Sequence, residues 1–337
     1  MNNDLIILGH GSGGRLSHQL LDELIIPILG DNGVAGQNDA ALLDPPPGRL
    51  AFTTDSYVVD PVFFPGGSIG SLAIHGTVND LAMMGARPLY ISVGLIIEEG
   101  FSKADLEFIL RDMRQAADQA AVRIVTGDTK VVPHGKVDKI FINTSGIGVI
   151  GHDLPISGSN AQPGDKIIIS GTIGDHGIAI MANREGLKLD TEILSDSAPL
   201  NSLVDAIIAE AFSNLHVLRD PTRGGVATTI KEIAQQSGVS ITLYEENMPI
   251  KPAVRGVCSI LGLDPLFVAN EGKLLAFIAP ETAEQVLNVI RQHPAGRDAA
   301  IIGAVTGTEA GRVQMETIIG GLRAVEMLAG EQLPRIC

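Results

Sequence analysis

Four short polar motifs in the first 130 residues each carry an aspartate: Asn38-Asp39-Ala40-Ala41, Thr53-Thr54-Asp55-Ser56, Asn79-Asp80-Leu81-Ala82 and Gly127-Asp128-Thr129-Lys130. A single aspartate of this kind is an ordinary turn former or helix N-cap. Four of them, three set beside Thr, Asn or Gly, look instead like oxygen donors for a hard cation. Mg2+ takes carboxylates together with phosphate oxygens, so the chemistry they suit is phosphoryl transfer. Lys130 would offset the negative charge that develops on a transferred phosphoryl group. Upstream, Gly9-His10-Gly11-Ser12-Gly13-Gly14 formally matches G-x-G-x-x-G. A dinucleotide site wants an acidic residue after a second strand, and a P-loop wants Gly-Lys-Ser/Thr; neither follows. Two readings stay open: backbone N–H groups and a helix start that cradle an anion, or a plain glycine turn.

The chain ends Leu333-Pro334-Arg335-Ile336-Cys337, and the only other cysteine is Cys258, in an apolar, helix-like run. Pro334 lacks an N–H and biases its neighbour toward extended backbone. The tail therefore reads either as an extended arm with a nucleophilic sulfur at its tip, or as a frayed terminus. Glu271, between Asn270 and Gly272, is a candidate general base or a turn residue paired to Lys273. His10, His75 and His176 sit in glycine-rich or polar motifs and receive no role.

These groups need a scaffold. In the first 150 residues the pattern predicts a strand at 5–8, a helix over 16–29, a strand at 50–56, a helix over 69–85 and a strand at 87–97. A helix over 103–121, a short strand at 122–125 and a strand at 140–150 follow. The Asn79-Asp80 pair falls mid-helix among apolar residues, which is costly unless partnered. Residues 151–164, rich in Gly, Pro, Ser and Asn, read as a domain boundary. Beyond it, strands at 166–170, 239–244, 274–278 and 300–305 alternate with helices over 178–184, 199–212, 226–236, 254–261 and 282–291. The fold class is α/β (α+β), with domains at 1–150 and 151–326 and a flexible tail at 327–337.

Composition narrows the partners. The net charge is −15, which disfavours a phosphate-backbone partner. Tryptophan is absent and aromatics make up 4%, so base-stacking platforms are not expected. Two distant cysteines give neither a disulfide framework nor zinc spacing. With no basic leader and no apolar run of membrane-spanning length, a cytoplasmic location is expected.

Taken together, His10–Gly14 and the four aspartate motifs resemble the ATP-binding superfamily of aminoimidazole ribonucleotide synthetase. Asp220-Pro221-Thr222-Arg223-Gly224-Gly225, Asn270-Glu271-Gly272-Lys273 and the Pro-Arg-Ile-Cys ending are similar to its HypE branch, the hydrogenase maturation factors. Pro221 departs from the Asp-Ala-Thr-Arg-Gly-Gly of some relatives and should alter only the local turn. The resemblance implies a two-domain fold of mixed sheets flanked by helices, and a homodimer formed through the first domains. It implies ATP contacts from Gly11, Ser12, Gly13, Gly14, Asp55, Asn79, Asp128 and Thr129. It implies Mg2+ held by Asp39, Asp55, Asp80, Asp128 and Asp220. Cys337 would accept a carbamoyl group from HypF, and ATP-dependent dehydration would give an S-cyanide for iron on HypC–HypD. Cys337, Glu271 and Lys130 are then the catalytic candidates. The runner-up is a superfamily kinase or synthetase acting on a free small molecule, which would not need Cys337.

Overall fold

The computed structural model describes residues 4–30, 40–187, 192–327, 330 and 335–337. Asp39 and Pro334 lie outside the described residues.

The first domain opens differently from the sequence expectation. Residues 5–8 do not form a strand: Leu5 makes one bridge to Ser102, and Leu8–Gly11 is a 3-10 turn. The turn is closed by Ile7 N–H donating to His10 Nδ1 at 3.0 Å. A helix follows as expected, but in segments: α1 (Arg15–Leu20), a π turn (Leu21–Ile25) and α2 (Ile26–Leu29). Pro27 has no N–H to give, and the wider turn absorbs the missing bond.

Next come β1 (Arg49–Tyr57), the short β2 (Phe63–Phe64) and β3 (Gly67–Ser68), α3 (Ile69–Met83), β4 (Arg87–Glu98), α4 (Lys103–Gln119), β5 (Arg123–Val132) and β6 (Ile140–Ile150). The main sheet has the order β1-β6-β4-β5, antiparallel except for the parallel pair β4/β5. β5 runs on through Gly127–Lys130, beyond the end at Val125 that the sequence predicts. α3 and α4 cover one face of this sheet. α3 is buried on nearly every side, since the second domain closes over the flank that the sheet leaves free.

The second domain comprises β7 (Lys166–Ile169), α5 (Asp175–Arg184), α6 (Asn201–Ala211), β8 (Leu215–Arg219), α7 (Gly225–Ser237), β9 (Ser240–Tyr244), α8 (Pro252–Leu261), β10 (Leu275–Ile278), α9 (Ala283–Gln292), β11 (Ala300–Gly307), β12 (Val313–Glu316) and β13 (Leu322–Ala324). Its mixed sheet has the order β13-β12-β9-β11-β7-β10-β8. The core around α7 and the core around α6 and α9 are separate, one on each face of the sheet. α5 and α8 do something the sequence did not suggest. Their apolar residues Ile178, Val254 and Val257 join the first domain's core with Ile69 and Leu72. The domains are therefore locked along one seam, and a large cavity opens beside it.

Candidate active site

β1 has a period of two, so Thr53, Asp55 and Tyr57 share the face turned toward α3. Thr53 Oγ1 donates to Asp80 Oδ2 at 2.7 Å, and Tyr57 Oη donates to Asp55 Oδ2 at 3.5 Å. Tyr57 reaches this position only because α3 carries Gly76 opposite it: a Cβ there would stand 2.2 Å from the Tyr57 hydroxyl. The end of β8 brings in Asp220 and Arg223. The turn before β10 brings in Glu271.

That turn is pinned from both ends. Glu271 N–H donates to Asp196 Oδ1 at 3.0 Å, and Glu271 C=O accepts from Asn79 Nδ2 at 3.1 Å. Gly272 is demanded by close approach, since a Cβ would fall 1.7 Å from the Asp196 carbonyl oxygen. Lys273 pairs with Asp196 at 3.3 Å, so the Glu271–Lys273 pairing left open by the sequence is not made. Glu271 Oε1 is buried with no hydrogen-bond partner among the described residues.

The tail enters the same space. Residues 335–337 run beside the continuation of β1: Val58 N–H donates to Cys337 C=O at 3.3 Å and Asp60 N–H to Arg335 C=O at 3.2 Å. Ile336 is buried in the first domain's core. The Arg335 guanidinium donates to Val58 C=O and pairs with Asp138 at 2.6 Å, which holds the Asp138 carboxyl below its usual range. Asp55, Asp80, Asp220, Arg223, Glu271 and Cys337 thus line one cavity of about 980 Å³.

Its electrostatics are those of a site that wants positive charge. Burial, then the nearby Asp80 carboxylate, pushes Asp55 up to about 6. Burial and Asp80 push Asp220 up to about 7. Glu271 is raised well above the ordinary carboxylate range by burial first, then by Asp220, Asp196, Asp55 and Asp80. Carboxylates shifted this way by burial and by one another are a signature of functional sites.

The remaining expected site residues gather elsewhere. Gly11, Gly13, Asp128, Thr129 and Lys130 line a second cavity of about 480 Å³. Sheet register explains the separation. Asp55 pairs with Thr144, Thr144 with Val93 and Val93 with Gly127. Asp128 falls in the next row, with Gly94, Asn143 and Ser56. Adjacent rows face opposite sides, so Asp55 looks toward the helices and Asp128 toward the uncovered face. The two are three strand spacings apart, about 14 Å. Within one chain Asp128 and Lys130 therefore do not meet Glu271 or Cys337; Lys130 pairs with Asp128 at 3.0 Å in the open. Ser12 turns its hydroxyl back onto Gly9 C=O at 3.0 Å, and Gly14 caps α1.

Asn79 belongs to the frame rather than to a ligand site. Buried at 1% exposure, it donates to Ala198 C=O and Glu271 C=O, and its Oδ1 accepts from Leu200 N–H at 2.8 Å. This resolves the cost of a mid-helix polar pair. Asn79→Ala should lower stability by about 2–4 kcal/mol, since it strands buried backbone groups. Urea unfolding would show this, with ATP affinity retained by the folded fraction. A fully stable variant that had lost ATP affinity would contradict the assignment. Thr53, Tyr57, Arg223 and Asp196 are not singled out by the sequence. Thr53 and Arg223 lie inside recognisable motifs, whereas Tyr57 and Asp196 give no local signal.

The sequence matches the AIR synthase related protein N-terminal domain over residues 37–150 and the corresponding C-terminal domain over residues 162–316. Carbamoyl dehydratase HypE of Bradyrhizobium diazoefficiens is 53% identical over 337 residues, which span 100% of this chain and 97% of that relative. The chain belongs to the HypE family. A crystal structure of the hydrogenase maturation protein HypE in complex with ATP is similar with a TM-score of 0.95 at 52% identity, over 98% of this chain and 99% of that one. A crystal structure of a HypE–HypF complex is similar with a TM-score of 0.81 at 48% identity, over 92% of this chain and 99% of that one. Full-length HypE similarity also fits a chain whose second-domain motifs and terminal cysteine converge on one cavity.

Proposed function

We propose that this chain dehydrates a carbamoyl group carried on its own Cys337 to a thiocyanate, using ATP, during [NiFe] hydrogenase maturation. The observation that carries the reading is the tail's seat: Cys337 lies in the cavity that also holds Asp55, Asp80, Asp220 and Glu271. A free-substrate kinase has no need of that arrangement.

The amide oxygen of the S-carboxamide attacks the γ-phosphorus of ATP, ADP leaves, and one N–H proton passes to water. The C–O bond of the resulting O-phosphoryl imidate then breaks, phosphate departs with the oxygen, and the second N–H proton goes to a base. The carbon is left as S–C≡N. The net change is loss of one water, whose oxygen ends in phosphate. Glu271 is the base we assign to the second proton, because the residue lines the tail's cavity and its Oε1 has no partner among the described residues to hold it.

The donor set fits Mg2+ bound with ATP. Asp55, Asp80 and Asp220 form a half-buried, mutually repelling cluster, but no three His, Cys, Asp or Glu groups converge into a ready cage among the described residues. Phosphate oxygens and waters would complete the sphere, and the ion would neutralise phosphate charge. Asp39, outside the described residues, and Asp128 remain proposed further ligands.

A homodimer would supply what one chain separates. The sheet face that carries Asp128 also exposes Phe52 (69%) and Ile96 (40%), and apolar sheet faces are normally covered. A second copy on that face would bring its Gly11–Gly14 loop, Asp128, Thr129 and Lys130 toward this chain's acidic cavity.

The tail must also leave, to take a carbamoyl group from HypF and pass cyanide to HypC–HypD. Ordering residues 335–337 costs about 3–6 kcal/mol of backbone entropy. Burial of Ile336 contributes about 1.5–3 kcal/mol, and each backbone hydrogen bond about 1 kcal/mol. Arg335, at φ +55°, offsets about 1–2 kcal/mol of that gain as left-handed strain. The two sides nearly cancel, which suits an arm that docks and undocks.

Among the described residues no helix is long and apolar enough to cross a membrane; we assign the protein to the cytoplasm because its reaction needs Cys337 as a reduced thiol. The test is isotopic. A carbamoyl group made with heavy oxygen should deliver that label to inorganic phosphate; label retained on the tail or released as water would exclude the route.

A further inference from the structure

His176 is completely buried at the start of α5, and nothing in the reaction above uses it. Its Nε2 lies 2.6 Å from the carbonyl oxygen of Ile336, the residue before the terminal cysteine. A carbonyl only accepts, so Nε2 carries the proton. Nδ1 lies 2.8 Å from Ser195 Oγ, and Ser195 Oγ accepts from Ser197 N–H at 3.1 Å. Burial lowers the His176 pKa, which favours the neutral ring. Nδ1 then accepts from the Ser195 hydroxyl. The result is a directed chain from Ser197 N–H through Ser195 and the imidazole to the tail. Phe64 packs edge-on against the ring, with centroids 5.6 Å apart, and fixes its plane.

The same loop grips the base. Asp196 stands between the two serines, accepts Glu271 N–H at 3.0 Å and pairs with Lys273 at 3.3 Å. Ser195 N–H is anchored on Pro65 C=O at 2.8 Å. Consecutive residues of one short loop thus hold the tail's histidine and the turn that carries Glu271.

We propose that His176 is a positioning residue for the terminal thiol: it seats the tail through Ile336 and, through the Ser195–Ser197 loop, fixes that seat relative to Glu271. Reaction requires the carboxamide on Cys337 and the carboxyl of Glu271 to meet within hydrogen-bond reach. A shared loop keeps that separation constant when the tail docks. The inference rests on the dehydratase reading for its purpose, but its geometry can be tested without the reaction.

The experiment follows alkylation of Cys337 by iodoacetamide, read by mass of the C-terminal peptide in the full chain. Buried Cys258 is the internal reference. His176→Ala removes the donor, whereas His176→Gln keeps a side-chain N–H, and Ser195→Ala removes only the hydroxyl that orients the ring. Loss of one net hydrogen bond shifts a docking equilibrium about fivefold. Cys337 alkylation should therefore rise about fivefold in His176→Ala with Cys258 unchanged, rise less in Ser195→Ala, and return toward the parent rate in His176→Gln. Single-turnover dehydration should slow in the same order, with the KM for ATP unchanged. Equal Cys337 rates in all four proteins would overturn the proposal, as would His176→Gln behaving like His176→Ala, or Cys258 rising in step with Cys337. Alkylation that follows the expected order in a chain that never dehydrates its tail would instead sink the functional reading and leave the seat standing.

Discussion

Glu271→Gln is expected to slow dehydration of a carbamoylated tail by about 10²–10⁴-fold, the usual contribution of a positioned acid or base, while ATP still binds. The substitution keeps volume and shape, and both backbone groups of residue 271 keep their partners on Asp196 and Asn79. What is lost is the ability to take a proton. Burial and four neighbouring carboxylates raise the Glu271 pKa well above the ordinary range, which favours its neutral form in the bare chain. Mg2+ held among those carboxylates would counter that bias. The parent enzyme should therefore gain single-turnover rate as pH rises and Glu271 ionises in the nucleotide complex. The glutamine variant should be flat over the same range. Rapid-quench mass analysis of the tail would separate the two, and a variant that turned over at the parent rate would remove Glu271 from the mechanism.

The second large effect is on stability. Asp55 and Asp220 have native pKa values of about 6 and about 7 against the ordinary 3.8. Between pH 4 and 7 the native state therefore binds more protons than the unfolded chain. Stability falls with rising pH wherever that holds. The contribution is fully present near pH 4 and is lost as pH passes through 6 and 7. A tenfold change in proton affinity is worth about 1.4 kcal/mol, and the two groups repel one another, so the loss is on the order of a few kcal/mol. The metal-free chain should melt progressively lower from pH 5 to pH 8, and MgATP should recover most of the difference. Asp220→Asn removes one of the repelling charges. It should raise the melting temperature of the bare chain at pH 8 and weaken the gain from MgATP. Thermal melts across pH, with and without MgATP, read both; a bare chain more stable at pH 8 than at pH 5.5 would contradict the account.

Much of this site was legible in the sequence. Asp55 and Asp80 sit in motifs whose neighbours hold the site together: Thr53 donates to Asp80, and Asn79 pins the turn that carries Glu271. Glu271 stood out as a carboxylate beside a glycine, and Gly272 is there because the Asp196 backbone passes too close for any side chain. The terminal cysteine was visible as chemistry without a scaffold. What the sequence could not show was which residues share a side. Gly127-Asp128 reads as a loop by turn propensity, but pairing with β4 carries β5 through it. Once residue 128 is in a strand, the period of two sends it to the face opposite Asp55. Asn79 carries the amide chemistry of a ligand, and only tertiary contacts reveal that its hydrogen bonds go to Ala198, Leu200 and Glu271. The packing of α5 and α8 onto the first domain was hidden for the same reason: apolar periodicity says that a face is buried, not against what. Asp39 was a clear motif and lies outside the described residues.

The central claim is that the tail of this chain is both substrate carrier and substrate. Its most direct measurement is the mass of the C-terminal peptide after carbamoylation by HypF with ATP and carbamoyl phosphate, before and after fresh MgATP, with Cys337→Ala alongside. The account predicts a carbamoyl adduct on Cys337 that then loses the mass of one water, and no adduct in the alanine variant. An adduct that never loses water, or no adduct while HypF is active, would contradict it.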